Sequence, residues 1–290
     1  MSEATPLAPV VDAAWVAAHP EVIRADVRWY LDGRSGLDAY RHAHLPGAVF
    51  VDLERWLAGP ASAAWGRHPL PEPAVFARGM SSRGIGDHDQ VVAYDDAGGV
   101  IAARLVWMLR ATGHAAAILD GGLAAWGGTL ESGEVEREAA AFGVREWPAD
   151  ALADIDDALD AGGVVVDARD AARYRGESEP IDPRAGHVPG ARSLPCRDHL
   201  RADGRLTSPE EIRRRFAEVG VHDAARMVSY CGSGVTACHN LLVAEWVGLG
   251  RGRLFPGSWS QYSATDLPAA QGDEPSGTPS GSDEGPVLEP

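Results

Sequence analysis

The 290-residue chain contains no lysine: all 26 of its formal positive charges are arginine. That absence removes whole classes of chemistry. No side chain can form a Schiff base with a carbonyl or with pyridoxal phosphate. Neither the GxxxxGK[ST] phosphate loop nor the strand lysine of a protein kinase can be present. Every fixed cation is a planar, permanently charged guanidinium. Asparagine is nearly missing too, with Asn240 alone, so part of the bias reads as genomic rather than functional. The three cysteines, Cys196, Cys231 and Cys238, are too few, and odd in number, for a disulfide scaffold. No apolar run approaches a membrane span. The first twelve residues, MSEATPLAPVVD, lack the basic and apolar segments of a signal peptide. The expected location is a reducing cytoplasm, with no membrane partner. Acids outnumber bases 42 to 26, and the net charge of −16 argues against nucleic acid as a partner.

What is there reads as globular: 45% hydrophobic and 23% charged residues. The chain also repeats itself. His44-Leu45-Pro46-Gly47-Ala48 returns as His187-Val188-Pro189-Gly190-Ala191, and Asp26-Val27-Arg28 returns as Asp167-Ala168-Arg169. Val92-Ala93-Tyr94-Asp95 corresponds to Val228-Ser229-Tyr230-Cys231, and the segment from Asp120 to Trp126 to that from Pro256 to Tyr262. The spacing is too long for a solenoid and fits a duplicated domain of about 120 residues. In the second copy, strands are expected at 164–166, 227–230 and 253–255, and helices at 208–218 and 236–247. The first of these helices opens on Ser208-Pro209 with Glu211, which is capping chemistry. Strands alternating with helices predict an α/β fold in which each copy is a parallel sheet flanked by helices. The boundaries read as a first domain at 8–130, a linker at 131–149, a second domain at 150–266 and a disordered acidic tail at 267–290.

The strongest chemical signal is the run from Tyr230 to Ala237, YCGSGVTA. Cys231 ends a buried strand, a loop with two glycines follows, and a helix begins. Ligands of open α/β sheets bind at the carboxyl ends of strands. Glycines let backbone N–H groups converge, and the helix N-terminus adds partial positive charge. A sulfur anion is favoured there, and a thiolate in that setting is a nucleophile. The N–H groups of Gly232, Ser233, Gly234, Val235, Thr236 and Ala237 form the expected cradle. Cys238 reads as core, and Cys196 has no assigned role. The cysteine spacing is not CxxC, and the Cys and His spacings match no common structural zinc site. A phosphatase would need a guanidinium at CxxxxxR spacing. That position is Ala237, and residues 227–250 hold no arginine.

The chain resembles the two-domain rhodanese-type sulfurtransferases, and among them the 3-mercaptopyruvate branch. The likeness rests on CGSGVTACHN at 231–240, both H-[LV]-P-G-A copies, Arg173-Tyr174-Arg175-Gly176 and Pro256-Gly257-Ser258-Trp259-Ser260. It covers about residues 8–266. It implies two rhodanese-like domains and a catalytic Cys231 that carries sulfur as a persulfide. The donor is a small molecule, and the acceptor is a thiol, a protein thiol or cyanide. No metal or organic cofactor is implied, because sulfur itself is the transferred group. Thiosulfate-preferring relatives have Arg-Lys after the cysteine, where this chain has Gly232-Ser233. The neutral loop favours 3-mercaptopyruvate, with thiosulfate as the alternative donor and a sulfur carrier without small-donor turnover as a further reading. Arg173 matches the family arginine that would bind the donor carboxylate, and Arg184 is a second candidate. Ser233 could relay a proton or hydrogen-bond the ketone. Asp95 occupies the cysteine position of the first copy and cannot form a persulfide, so that half is expected to be silent. His44 and His187 occur in both copies and read as structural. The resemblance also allows His44 to approach the active cysteine, and makes Trp29 a wall of the cleft.

Overall fold

The computed structural model describes residues 7–160 and 162–276. The first α/β unit runs β1 Val10–Val11, α1 Ala13–Ala18, β2 Ile23–Asp26, α2 Gly36–His42, β3 Val49–Phe50, α3 Pro73–Ser82, β4 Val91–Tyr94, α4 Ala103–Ala111 and β5 Ala116–Leu119. Its sheet is parallel throughout, in the order β1-β5-β4-β2-β3. The second unit runs α5 Ile155–Leu159, β6 Val164–Asp167, α6 Ala171–Tyr174, β7 Arg192–Ser193, α7 Pro209–Glu218, β8 Met227–Tyr230, α8 Ala237–Trp246, β9 Arg253–Leu254 and α9 Ser258–Tyr262. Its parallel order is β7-β6-β8-β9. A single parallel bridge from Leu152 to Leu254 repeats what β1 does beside β5. No helix among the described residues is long and apolar enough to cross a membrane.

The central strands are short apolar runs buried on both faces, as parallel strands under helices must be. Every residue of β4 and β8 is buried. The expected helix at 208–218 is α7, whose cap Ser208 accepts from the Glu211 N–H at 3.2 Å. Helix α8 is buried on all sides from Ala237 to Ala244. The reason is position: one apolar cluster contains residues of both α4 and α8 and runs through both units. An all-round apolar helix belongs at such an interface.

The duplicated motifs have a common structural meaning. Asp26 and Arg28 form a buried bidentate pair at the end of β2, with Nη2 to Oδ2 at 2.6 Å. Asp167 and Arg169 repeat it beside β6, again at 2.6 Å. Each arginine also donates to a loop carbonyl, Ala43 or Gly186. His44 stacks on Tyr40 and bonds its carbonyl, while His187 stacks on Tyr174 and bonds its carbonyl. Both histidines are fully buried, which fits the structural reading.

Two stretches differ from expectation. The 131–149 segment is irregular up to the turn at its end, but it is pinned along the first unit. Ala140 N–H donates to Ser81 O, Asp87 N–H to Ala141 O, and Trp147 Nε1 to Pro71 O. The acidic tail does not leave the fold at residue 267. Ala270 is buried and bridges His187, and Pro275 O accepts from the Gly190 N–H. The expected disorder is therefore corrected for residues 267–276. Residues 277–290 lie outside the described residues.

Candidate active site

Strand β8 ends at Tyr230 and delivers Cys231 to the interface between the units. The loop that follows is anchored from two sides. Trp259 N–H donates to Cys231 O at 2.9 Å and Ser260 N–H to Gly232 O at 2.8 Å. Ser258 Oγ accepts from the Cys231 N–H at 3.1 Å. Ser258 does this at φ +52°, the only non-glycine residue with positive φ among the described residues. Gly234, at φ +77°, lies against Pro256, whose carbonyl would be 2.5 Å from any Cβ. Glycine is therefore required there for both conformation and space. The turn aims the Gly234 N–H at Cys231 Sγ, 3.1 Å away.

The first unit shows what such a turn binds. Asp95 sits where Cys231 sits, and its carboxylate accepts four N–H groups at 2.8–2.9 Å, from Ala97, Gly99, Ile101 and Ala102. Their counterparts, at the offset of 136 residues that separates Asp95 from Cys231, are Ser233, Val235, Ala237 and Cys238. One copy of the loop thus holds its own anion, and the other leads to a sulfur.

Cys231 lines a cavity of about 480 Å³ walled by both units. The loop residues Gly232, Ser233, Val235 and Thr236 line it from the second unit, and Trp29 and Ile101 from the first. Arg173 enters from α6. Its Nε and Nη2 bond Glu179, and Nη2 also bonds Asp182 at 3.1 Å. Arg67 enters from the first unit and pairs with the same Asp182. Both guanidinium groups crowd Gly232: a Cβ there would lie 3.1 Å from Arg67 Nη2 and 3.4 Å from Arg173 Nη1. His68 Nδ1 lies 2.8 Å from Ser233 Oγ. Burial, with Arg104 and Arg67 nearby, pushes the His68 imidazole down to about 4, so it is neutral at pH 7. Among the described residues no cluster of three or more His, Cys, Asp or Glu is arranged to hold a metal ion.

Residues 12–129 and 151–265 each match the family of rhodanese-like domains. The chain belongs to the rhodanese-like family. A provisionally named 3-mercaptopyruvate sulfurtransferase of Pseudomonas aeruginosa is 42% identical over 272 residues, covering 88% of this chain and 94% of the relative. A provisionally named thiosulfate sulfurtransferase of Mycobacterium tuberculosis is 40% identical over 261 residues, covering 87% and 91%. The solved 3-mercaptopyruvate sulfurtransferase from Leishmania major superposes with a TM-score of 0.81 at 34% identity, covering 90% of this chain and 76% of that one. The two sheets are therefore two tandem rhodanese-like domains.

Within this rhodanese-like pair, the structure brings together Cys231, its loop, Arg173 and Trp29. It does not bring Arg184 or His44. Each nitrogen of Arg184 donates to a carbonyl, of Ser263, Leu267 or Tyr262, so it fastens the chain after α9, and it is absent from the cavity wall. His44 is fully buried against Tyr40 and is absent from the cavity wall. The Gly232-Ser233 segment is neutral as expected, and Arg67 is an addition to the expected Arg173. Both supply cations at Gly232 from outside the loop. Arg67 and His68 escaped the sequence reading because they lie outside every duplicated block. Their local signal was a polar Gly66-Arg67-His68-Pro69 turn, which names no chemistry by itself. Cys196 also lines the cavity. Burial pushes its thiol, and that of Cys238, up to about 12, so neither is ionised at neutral pH.

Proposed function

We propose that the chain transfers sulfur from 3-mercaptopyruvate to a thiol or cyanide acceptor through a persulfide on Cys231. The observation that carries this reading is Cys231 Sγ on the cavity wall, with the Gly234 N–H on it and two guanidinium groups at the next residue. The Cys231 thiolate attacks the donor sulfur. The carbon–sulfur bond breaks, and its electron pair leaves as the enolate of pyruvate, which takes up a proton. The acceptor thiolate then attacks the outer persulfide sulfur and Cys231 leaves as thiolate, which closes a double displacement.

The remaining groups have matching tasks. Arg173 Nη1, free of hydrogen bonds among the described residues, and Arg67 Nη2 are placed for the donor carboxylate. With His68 Nδ1–H donating to its oxygen, Ser233 can donate its own proton to the ketone as charge develops there. The N–H groups from Gly232 to Ala237 hold the persulfide anion in the way Asp95 is held. Asp95 itself leaves the first domain silent. The low cysteine count supports a location in a reducing cytoplasm.

Thiosulfate is the second reading. A pair of guanidinium groups beside Gly232 suits a dianion, and one of the relatives bears the name of a thiosulfate sulfurtransferase. The test compares kcat/KM for both donors with cyanide as acceptor, alongside mass spectrometry of the protein after each donor alone. The expected result is a 32-Da adduct on Cys231 (one sulfur atom), a preference for mercaptopyruvate, and no adduct in Cys231→Ser. Full activity in the serine variant would overturn the assignment of Cys231. A preference for thiosulfate would select the second reading, and failure of either donor to load the wild type would leave a carrier protein.

A further inference from the structure

The helix α4 of the silent domain carries a charge that the fold does not neutralise. Arg104 is fully buried. Its Nε donates to Leu57 O at 3.2 Å, Nη2 to His68 O at 3.0 Å, and Nη1 to Gly234 O at 2.8 Å. It has no carboxylate partner among the described residues. The foremost ionisable group around it is Cys238, whose thiol burial keeps protonated and whose S–H also donates to Gly234 O at 3.4 Å, followed by Cys231, with His68 held neutral beside it. Burial of an unpaired cation is costly, and here it lowers the readiness of the guanidinium to hold its proton. A site that keeps such a charge in place needs a nearby negative one.

The duplication shows that the reach is specific to one copy. Arg104 corresponds to Asn240 at the offset of 136 that also relates Asp95 to Cys231. Asn240 stays within its own domain and donates to Leu194 O at 2.9 Å. Arg104 instead crosses the interface to the cysteine loop of the other domain. It lands on Gly234, the residue whose N–H reaches Cys231 Sγ. The Gly234 carbonyl belongs to the same peptide unit as the Val235 N–H, so a cation on that oxygen makes the N–H a stronger donor. The first-domain counterpart of that N–H, on Gly99, is one of the four that hold the Asp95 carboxylate.

We propose that Arg104 is a positioning residue contributed by the silent domain: it is the resident counter-charge for the Cys231 sulfur anion and polarises the loop amides that hold it. The proposal rests on the reading of Cys231 as the sulfur-bearing nucleophile, but its deciding measurement, alkylation, needs no sulfur donor. The rate of Cys231 alkylation by iodoacetamide is followed from pH 5 to pH 10 in wild type, Arg104→Gln and Arg104→Lys, with thermal melting as the check on folding. Glutamine keeps hydrogen-bonding capacity and loses the charge. The alkylation profile should move up by about one pH unit, and kcat for sulfur transfer should fall about tenfold with a smaller change in KM. Lysine keeps the charge and loses the three-way fork. Its profile should stay within about 0.3 unit of wild type, while its melting temperature falls. A folded glutamine variant with the wild-type profile overturns the proposal. If that variant does not fold, the lysine variant decides, and a shift of about a unit there overturns it equally. Failure of the wild type to form a persulfide would count against the proposed activity and leave this measurement untouched.

Discussion

Arg173 shows how little of a residue's role lies in its identity. Its guanidinium is half committed, with Nε and Nη2 on Glu179 and Asp182 and Nη1 turned toward Gly232. Arg184, eleven positions on, has the same chemistry and a different task, because three carbonyls hold it away from the cavity wall. The two should separate cleanly in kinetics. Arg173→Ala should raise KM for mercaptopyruvate about ten- to a hundredfold, the range expected for a charge-assisted contact. Arg184→Ala should lower the melting temperature and leave KM unchanged in the protein that remains folded. Steady-state kinetics on both variants, with melting curves, would check this. An unchanged KM in Arg173→Ala would remove it from the donor site. The motif RYRG made Arg173 legible in the sequence. Nothing local distinguished Arg184 from it, because a guanidinium's partners are set by the fold.

The unit at the next scale is a strand, a turn and a helix, present twice, with a turn of six residues at 231–236 and of eight at 95–102. It was legible because its parts are contiguous: an apolar strand ending in Tyr230-Cys231, two glycines, then an apolar helix. The strands β3 and β7, of two residues each, and the four-residue α6 were not legible. Segments that short carry no periodicity, and their geometry is imposed by neighbours. Arg67, His68 and Arg104 were not legible either, since each acts on residues more than a hundred positions away across the interface. The duplicated turn makes a prediction of its own. Asp95 is fully buried and satisfies four amides. Asp95→Ala would leave those donors without a partner, at a cost of about 2–4 kcal/mol. Denaturant unfolding should show that loss, and the folded variant should still load sulfur on Cys231. A variant as stable as wild type would mean that the carboxylate does not hold the turn.

At the scale of the whole molecule, the two domains share one apolar cluster, so weakening the second domain weakens the common core. Two buried histidines lie against it, His199 stacked on Phe216 and His239 carried by α8. His199 and His239 have ring centroids 6.3 Å apart and are both fully buried, with Asn240 beside His199. Burial pushes His199 down to about 4, with Arg215 adding to the effect and Asn240 opposing it, and pushes His239 down to about 3, with His199 and then Arg197 adding. An unfolded histidine titrates near 6.5. Because the folded values are the lower ones, the unfolded chain binds more protons between these limits. The contribution to stability is complete above about pH 6.5 and is lost as pH falls toward 4 and then 3. At pH 5 the loss is about 2 kcal/mol for each residue. His68, held down to about 4 at the interface, acts in the same direction. Melting temperature should therefore fall from pH 7 to pH 5 in the wild type. The fall should be clearly smaller in the double variant His199→Leu with His239→Leu, whose side chains are apolar and close in size. The comparison needs no activity and no donor. If acid lowers the melting temperature of both proteins equally, the two imidazoles are not the source of the acid sensitivity, and titration elsewhere in the shared core must be.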